Sequence, residues 1–284
     1  MEITDFDSSD PVAWCGGCGN FGIQAALKAA LAKLGKKPQE LLLVSGIGQA
    51  AKMPHYIKAN FFNGLHGRAL PAAAAAKIAN RALTVIVTTG DGDCYGEGGN
   101  HFLHNIRRNV DITVIVHDNQ IYGLTKGQAS PTSEPGMKTK IQPGGVILAP
   151  FPPLETALAL GCGFVARGYA AEKEHLAELI LAGIAHKGFS LIDVFQPCIS
   201  FNKLNTFDWY SKRVYKVGPE HDAADKAAAM ALAAQRERLP IGVIYSSPRP
   251  SYEELSGLDA MPPLADADIG NIDIGQALAA FNQG

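Results

Sequence analysis

An α/β fold, a parallel sheet flanked by helices on both faces, is predicted from three adjoining stretches of the chain. Residues 84–89, TVIVTT, form an apolar, β-branched run of strand length that stops abruptly at Gly90-Asp91-Gly92-Asp93. Residues 98–108 are of helix length and carry Phe102, Leu103 and Ile106 on one side. Residues 111–117 form a second buried-type strand, which runs into Asp118-Asn119-Gln120. Strand, glycine-acid turn, helix and strand make one βαβ unit. Its two strands lie parallel, so both turns stand at the same carboxyl edge of the sheet.

The rest of the composition agrees with one large core. The chain has 284 residues, of which 47% are hydrophobic, and a formal net charge of −2. That charge argues against a nucleic-acid or polyanion binder. No run of about 18 apolar residues occurs, so no membrane span is expected. The opening MEITDFDSSD is acidic and has no apolar signal region. Five cysteines, an odd number, fit a reducing compartment better than a disulfide framework. A soluble, cytoplasmic protein is the expectation.

The carboxyl edge offers hard oxygen ligands next to free amides. Asp91 can give a carboxylate, Asn119 a side-chain carbonyl, and Ile121 a main-chain carbonyl. Such a set suits Mg²⁺, which completes its octahedron with substrate phosphates and water. Gly90, Gly92, Gly98 and Gly99 let the backbone approach a diphosphate, and a helix N-terminus there favours negative charge. An isolated Gly-Asp-Gly is more often a plain surface turn. Asn119, at the end of the next strand, reverses that balance.

Near the start, Cys15-Gly-Gly-Cys18 lies on a glycine-rich loop ahead of the run FGIQAALKAALAKLG, which reads as a helix capped by Asn20 and stopped by Gly35. One C-x-x-C fits zinc, a redox dithiol or an iron–sulfur cluster, and supplies only half a site. Cys198, in the turn after the strand LIDVF, is placed to join it; Cys94 and Cys162 read as small buried side chains.

Gly-Asp-Gly followed by Asn is similar to the thiamine diphosphate signature. The fuller run GDGD…GGNH…RRN…DNQIYGLTKGQASPTS resembles the β subunit of the 2-oxoacid:ferredoxin oxidoreductases, in the branch that includes 2-oxoglutarate synthases. The resemblance spans roughly residues 12–215. It implies the thiamine diphosphate-binding fold, with thiamine diphosphate and Mg²⁺ held by Asp91, Asn119 and Ile121. Further cofactor contacts are implied at Gly48, Gln49, His66, Gly90, Gly92, Asp93, Gly123 and Leu124. It also implies one [4Fe–4S] cluster, for which Cys15, Cys18 and Cys198 match family ligands. The family's remaining ligand is a cysteine in a G-I-G-C turn; here the turn reads Gly46-Ile47-Gly48-Gln49. Amide oxygen is a poor ligand for soft iron, so the cluster is expected to be labile or three-iron.

The implied activity is oxidative decarboxylation of a 2-oxoacid, best 2-oxoglutarate, to its acyl-coenzyme A, with electrons passing through the cluster to ferredoxin. The alternatives are a pyruvate or broad-specificity enzyme, or a non-redox thiamine decarboxylase with a vestigial cluster site. A zinc-binding assembly protein would leave Asp91 and Asn119 without a role. No pyrimidine-binding half is evident, so an α subunit is expected to supply it, in an (αβ)₂ assembly. Lys52, His66 and Lys126 are the candidate catalytic residues, cations placed to meet substrate carboxylates and the diphosphate; His55 and Arg68 extend the same positive set, the latter just ahead of a helix that Pro71 would open as its first residue.

The later chain reads as a long Pro/Gly/Ser/Thr loop over 128–153, which is functional or partner-contacting. A helix over 152–160, a strand over 164–170, a helix over 172–186 and a strand over 191–195 follow. Residues 201–217, aromatic and basic, read as an interface segment. The expected division is a diphosphate-binding domain with cluster loops over 1–218 and a partner-contacting extension over 219–284, holding one helix, a short strand, an extended tail from 251 and a short terminal helix.

Overall fold

In the computed structural model, which describes residues 1–266, 270 and 273–282, the apolar runs of the sequence assemble into an eight-stranded sheet. Strands β1 (Leu41–Ser45), β2 (Asn60–Asn63), β3 (Thr84–Gly90) and β4 (Thr113–Asp118) precede a separate two-stranded ribbon, β5 (Ile121–Tyr122) with β6 (Gln128–Ala129). The sheet continues with β7 (Phe164–Tyr169), β8 (Ser190–Phe195), β9 (Val214–Lys216) and β10 (Leu239–Ser246). Across the sheet the order is β2-β1-β3-β4-β8-β7-β10-β9. The pairings from β2 to β7 are parallel; β10 runs antiparallel to β7 and carries β9 on the edge. Every residue of β4, β7 and β8 is buried. Helices cover both faces there, which is why these strands read as continuous apolar runs rather than alternating ones.

One face is covered by α1 (Asn20–Leu34) and, after α2 (Ala69–Ala79), α3 (Gly99–Arg108) and α4 (Pro153–Ala159), by α5 (Lys173–Ala185). Ile23, Leu27 and Leu31 of α1 and Leu176 and Ile180 of α5 pack against Ile86, Ile115 and Ile192. The opposite face is covered by α2, α3 and α4, with α6 (Phe207–Ser211) at the sheet edge and α7 (Lys226–Ala233) completing the layer. There Phe102, Ile106, Leu154 and Ala233 meet Val85, Val87, Val114 and Leu191. Each of the Val, Leu, Ile and Phe side chains among these contributes about 1.5–3 kcal/mol on burial. α1 lies so close to the turn after β7 that a Cβ on Gly22 would stand 1.9 Å from the Ala170 carbonyl oxygen.

Several local expectations change. Asn20 is not the cap of α1: it is the first helical residue, and Gly19 takes the capping position. The Asn20 side chain is engaged instead by buried His117, Oδ1 to Nδ1 at 2.9 Å, and burial lowers the His117 pKa to about 3, so the imidazole is neutral. α2 starts at Ala69, so Pro71 sits third rather than first; its missing N–H costs nothing there, because first-turn donors have no intrahelical acceptor. Residues 201–217 are no mere surface strip. Tyr210 of α6 is buried with Tyr169, Phe195, Leu239 and Ile241, and Arg213 stacks over Trp209 at 4.3 Å. Tyr210 faces inward while Arg213 covers the half-buried Trp209.

The change of composition at 219 marks no break in the sheet, since β10 hydrogen-bonds along β7 with Ile241 and Ile244 buried. Part of the expected extended tail is helical, because Ser251 and Glu254 form a reciprocal cap on α8 (Tyr252–Leu255). The terminal helix is α9 (Gly275–Phe281); residues 267–269, 271–272 and 283–284 of those two stretches lie outside the described residues. Among the described residues no helix is long and apolar enough to cross a membrane.

Candidate active site

β3 and β4 end side by side, with Gly90 opposite His117, so Asp91 and Asn119 emerge at the same edge. After Asp91 the backbone makes a π-helical turn over Gly92–Glu97 before entering α3, a wide turn of the kind that concentrates at functional sites. Asp93 sits inside it as a fastener. Its Oδ1 accepts the N–H groups of Gly67 (2.7 Å) and Ile47 (3.1 Å), and its Oδ2 accepts the Thr89 hydroxyl (2.7 Å). His66 Nδ1 lies 3.0 Å from the same Oδ1.

Asp91 is only 2% exposed and faces two hydroxyls, Ser130 Oγ at 2.5 Å and Thr132 Oγ1 at 2.6 Å. Burial pushes its pKa up to about 6, against the lowering effect of those hydrogen bonds. Thr132 Oγ1 also lies 2.7 Å from Asp118 Oδ1, and burial raises Asp118 as well. The Thr132 hydroxyl therefore bridges two buried acids at the end of the sheet. Sequence reasoning missed Ser130, Thr132 and Ser133, the last of which donates to the Gln120 carbonyl at 2.5 Å. The S-P-T-S run was their signal.

Asn119 Oδ1 accepts the Ile121 N–H at 2.9 Å, and Gln120 takes a left-handed φ of 59°, which turns the chain sharply into the β5–β6 ribbon. Gly48, Gln49, His66, Gly90, Asp91, Gly92, Asp93, Asn119, Ile121, Gly123 and Leu124 line one cavity of about 450 Å³. Gly48 has φ 128° and no atom within 4 Å of the place a Cβ would take; at Gly90 only the Ala50 Cβ comes near, at 3.9 Å. The wall is thus bare backbone beside a carboxylate and an amide oxygen, which fits a diphosphate with its Mg²⁺. Lys52 and Lys126 do not line this cavity. Lys52 lies in the 3₁₀ segment Ala50–Tyr56, and Lys126 has φ 80° in the loop of the ribbon. His55 stacks on Phe61 at 5.0 Å between centroids, and Arg68 turns to the carbonyls of Gly67 and Glu97. Of the expected positive set, His66 alone faces the cavity.

Cys15, Cys18 and Cys198 line an adjoining cavity of about 380 Å³, together with Asn20, Gln49 and Gln196. Burial pushes the Cys18 thiol up to about 11, and the neighbouring Cys198 and Cys15 add to that. Ser200 Oγ lies 3.0 Å from Cys15 Sγ and Gln196 Nε2 3.5 Å from Cys18 Sγ. Among the described residues no three His, Cys, Asp or Glu side chains are gathered closely enough to hold a metal ion. The three sulfurs share a cavity rather than a point, and three thiols with an orphaned amide oxygen, Gln49 Oε1, fit a cluster in chemistry. Gln49 lines both cavities. Cys94 and Cys162 are buried elsewhere, the latter donating to the Phe164 carbonyl at 3.2 Å.

Comparison with known proteins fits this geometry. Residues 42–194 match the family described as thiamine pyrophosphate enzyme, C-terminal TPP binding domain, and residues 198–258 match the family described as the C terminal of the pyruvate ferredoxin oxidoreductase beta subunit. Fold and site together define a thiamine diphosphate enzyme. The chain is 45% identical over 267 residues to a 2-oxoacid:ferredoxin oxidoreductase subunit beta of Saccharolobus solfataricus, covering 89% of this chain and 88% of that one. It is 40% identical over 218 residues to the 2-oxoglutarate oxidoreductase subunit KorB of Mycobacterium tuberculosis, covering 75% and 58%. The solved 2-oxoglutarate:ferredoxin oxidoreductase from Magnetococcus marinus, with 2-oxoglutarate, coenzyme A and succinyl-CoA bound, superposes with a TM-score of 0.92 at 36% identity, over 99% of this chain and 96% of that one. The chain belongs to the β subunits of the 2-oxoacid:ferredoxin oxidoreductases, and as such it works with an α subunit.

Proposed function

We propose that this β subunit, in an (αβ)₂ assembly, oxidatively decarboxylates 2-oxoglutarate. Coenzyme A becomes succinyl-coenzyme A, carbon dioxide and a proton are released, and two electrons leave one at a time for ferredoxin. The observation that carries this reading is that the cavity of Asp91 and Asn119 and the cavity of the three cysteines share a wall at Gln49. A carbanion centre and an electron relay would then be neighbours.

Bound thiamine diphosphate supplies the stabilised carbanion needed at the oxoacid carbonyl carbon. Asp91, the Asn119 side chain and the Ile121 carbonyl would hold its Mg²⁺, while the bare backbone at Gly48 and Gly90 would receive the diphosphate, with Gly92 packed under the Tyr122 ring beside them. Ser130 and Thr132 orient Asp91 by hydrogen bonds to its Oδ2. His66, steered by Asp93, meets the substrate side of the cavity. Lys52 and Lys126 stand outside the cavity lining, so the contact assigned to them is with a distal carboxylate rather than the reacting carbon. Cys15, Cys18 and Cys198 hold a [4Fe–4S] cluster. Residues 219–284 take part in the contact with the α subunit.

The test is coenzyme-A-dependent reduction of a viologen dye by the anaerobic αβ complex, oxoacid by oxoacid. Reduction with 2-oxoglutarate ahead of pyruvate is expected. Equal rates would mean a broad-specificity enzyme. Carbon dioxide release without dye reduction would overturn the redox reading in favour of a simple decarboxylase.

A further inference from the structure

We propose that Gln49 completes the iron–sulfur site with its amide oxygen, leaving one iron that is held far less firmly than the three bound by Cys15, Cys18 and Cys198. This deepens the reading above and rests on it.

Three observations meet at this residue. Gln49 lines the cysteine cavity, so its side chain and the three sulfurs border one space. Its Oε1 is buried and has no hydrogen-bond partner, a condition that folded proteins seldom tolerate without a ligand, an ion or water to relieve it. Its backbone is fixed to the cysteine loop: the Trp14 indole, next to Cys15, donates to the Gln49 carbonyl at 2.8 Å. On the other side the Gln49 stem lies across Gly123, where a Cβ would come 3.6 Å from its Cγ. The residue is held from two directions, with the amide oxygen left over.

The donors already in the cavity serve sulfur. Ser200 reaches Cys15 and Gln196 reaches Cys18, and hydrogen bonds of this kind stabilise thiolates and tune cluster potentials. Neither donor is bonded to Gln49 Oε1, which therefore stays available as an acceptor or a ligand. An amide oxygen is hard and neutral, so it binds iron among sulfides weakly beside three thiolates. Loss of that corner balances simply: a [4Fe–4S]²⁺ site gives one electron to an added oxidant, releases one Fe²⁺, and leaves [3Fe–4S]⁺ on the three cysteines.

The experiment uses the αβ complex prepared anaerobically with iron-57, in the native form and as Gln49→Cys, read by Mössbauer and electron paramagnetic resonance spectroscopy before and after ferricyanide. The expected result is one iron distinct from the other three in the native complex, and a three-iron signal after oxidation. Both features should be lost in Gln49→Cys, whose added thiolate closes the corner. Adding Fe²⁺ and reductant to the oxidised native complex should restore the four-iron form. Four equivalent irons in the native complex, or a three-iron signal undiminished in Gln49→Cys, would overturn the assignment to Gln49 while leaving the cluster in place. Absence of iron from the native complex would overturn the cluster reading itself.

Discussion

A carboxylate that is 2% exposed is costly to keep ionised, and Asp91 is compensated by two hydroxyls and the Gly92 backbone amide. On the proposed reading, Asp91 is placed for the cation of the cofactor rather than for stability. Asp91→Asn should therefore weaken Mg²⁺-dependent thiamine diphosphate binding by roughly ten- to a hundredfold, with the melting temperature of the cofactor-free complex unchanged or higher. Calorimetric titration of the αβ complex checks it, and full affinity in the variant would remove Asp91 from the metal site. Thr132→Val takes away the hydroxyl between Asp91 and Asp118. It should destabilise the free protein by about 1–3 kcal/mol, seen as a lower denaturation midpoint. For Lys52, outside the cavity lining, Lys52→Ile should raise the KM for 2-oxoglutarate by roughly ten- to a hundredfold while sparing pyruvate, if a charged contact to the distal carboxylate is what it supplies. Equal effects on both oxoacids would show that it reads no second carboxylate.

At the scale of elements, much was legible because the signals were local. The strands over residues 84–89 and 111–117 and the helix between them follow from unbroken apolar runs and apolar residues on one helix side, and β3, α3 and β4 bear out their extents to within a residue or two; Leu103, read on the buried side of the helix with Phe102 and Ile106, is exposed instead. What local pattern could not show was the partner of each polar side chain. Asn20 looks like any helix cap until His117 is brought to it from a distant strand. Ser130 and Thr132 belong to an aperiodic loop, and only its folding back over β3 shows that they serve Asp91. The ribbon of β5 and β6 is two residues long on each side, too short for any periodicity to register. Glycines at close approaches are the sharper test. A Cβ on Gly46 would fall 2.2 Å from Asp93 Oδ2, so Gly46→Ala should push that carboxylate off its two backbone donors. Reduced cofactor affinity with the sheet intact, judged by circular dichroism, is the expected outcome; an unaffected enzyme would show that Asp93 can move without consequence.

Among the described residues, the β2 edge of the sheet is exposed. All four residues of β2 are exposed, with Phe62 at 51%, and Leu65 just after it at 75%; Ile147, in the long loop, is 90% exposed. An apolar sheet edge in this state invites association, and we propose the α subunit as the partner that covers it. Phe62→Asp combined with Leu65→Asp should abolish co-purification of the α subunit while the β chain keeps its circular dichroism spectrum. Undiminished association would move the interface elsewhere. The tail beyond β10 gave no comparable signal in the sequence, because its short elements depend on capping contacts rather than on apolar period. Asp93, finally, limits how such an enzyme can be re-engineered. Its carboxylate is the common anchor of the loop after β1, the loop after β2 and the end of β3. A chimera that imports residues 46–67 from a relative with another substrate preference would inherit amide positions fitted to that relative's own acidic turn. Donor and recipient segments would have to be exchanged together with residues 89–97, as a single inheritable cassette, for the graft to close around its cofactor.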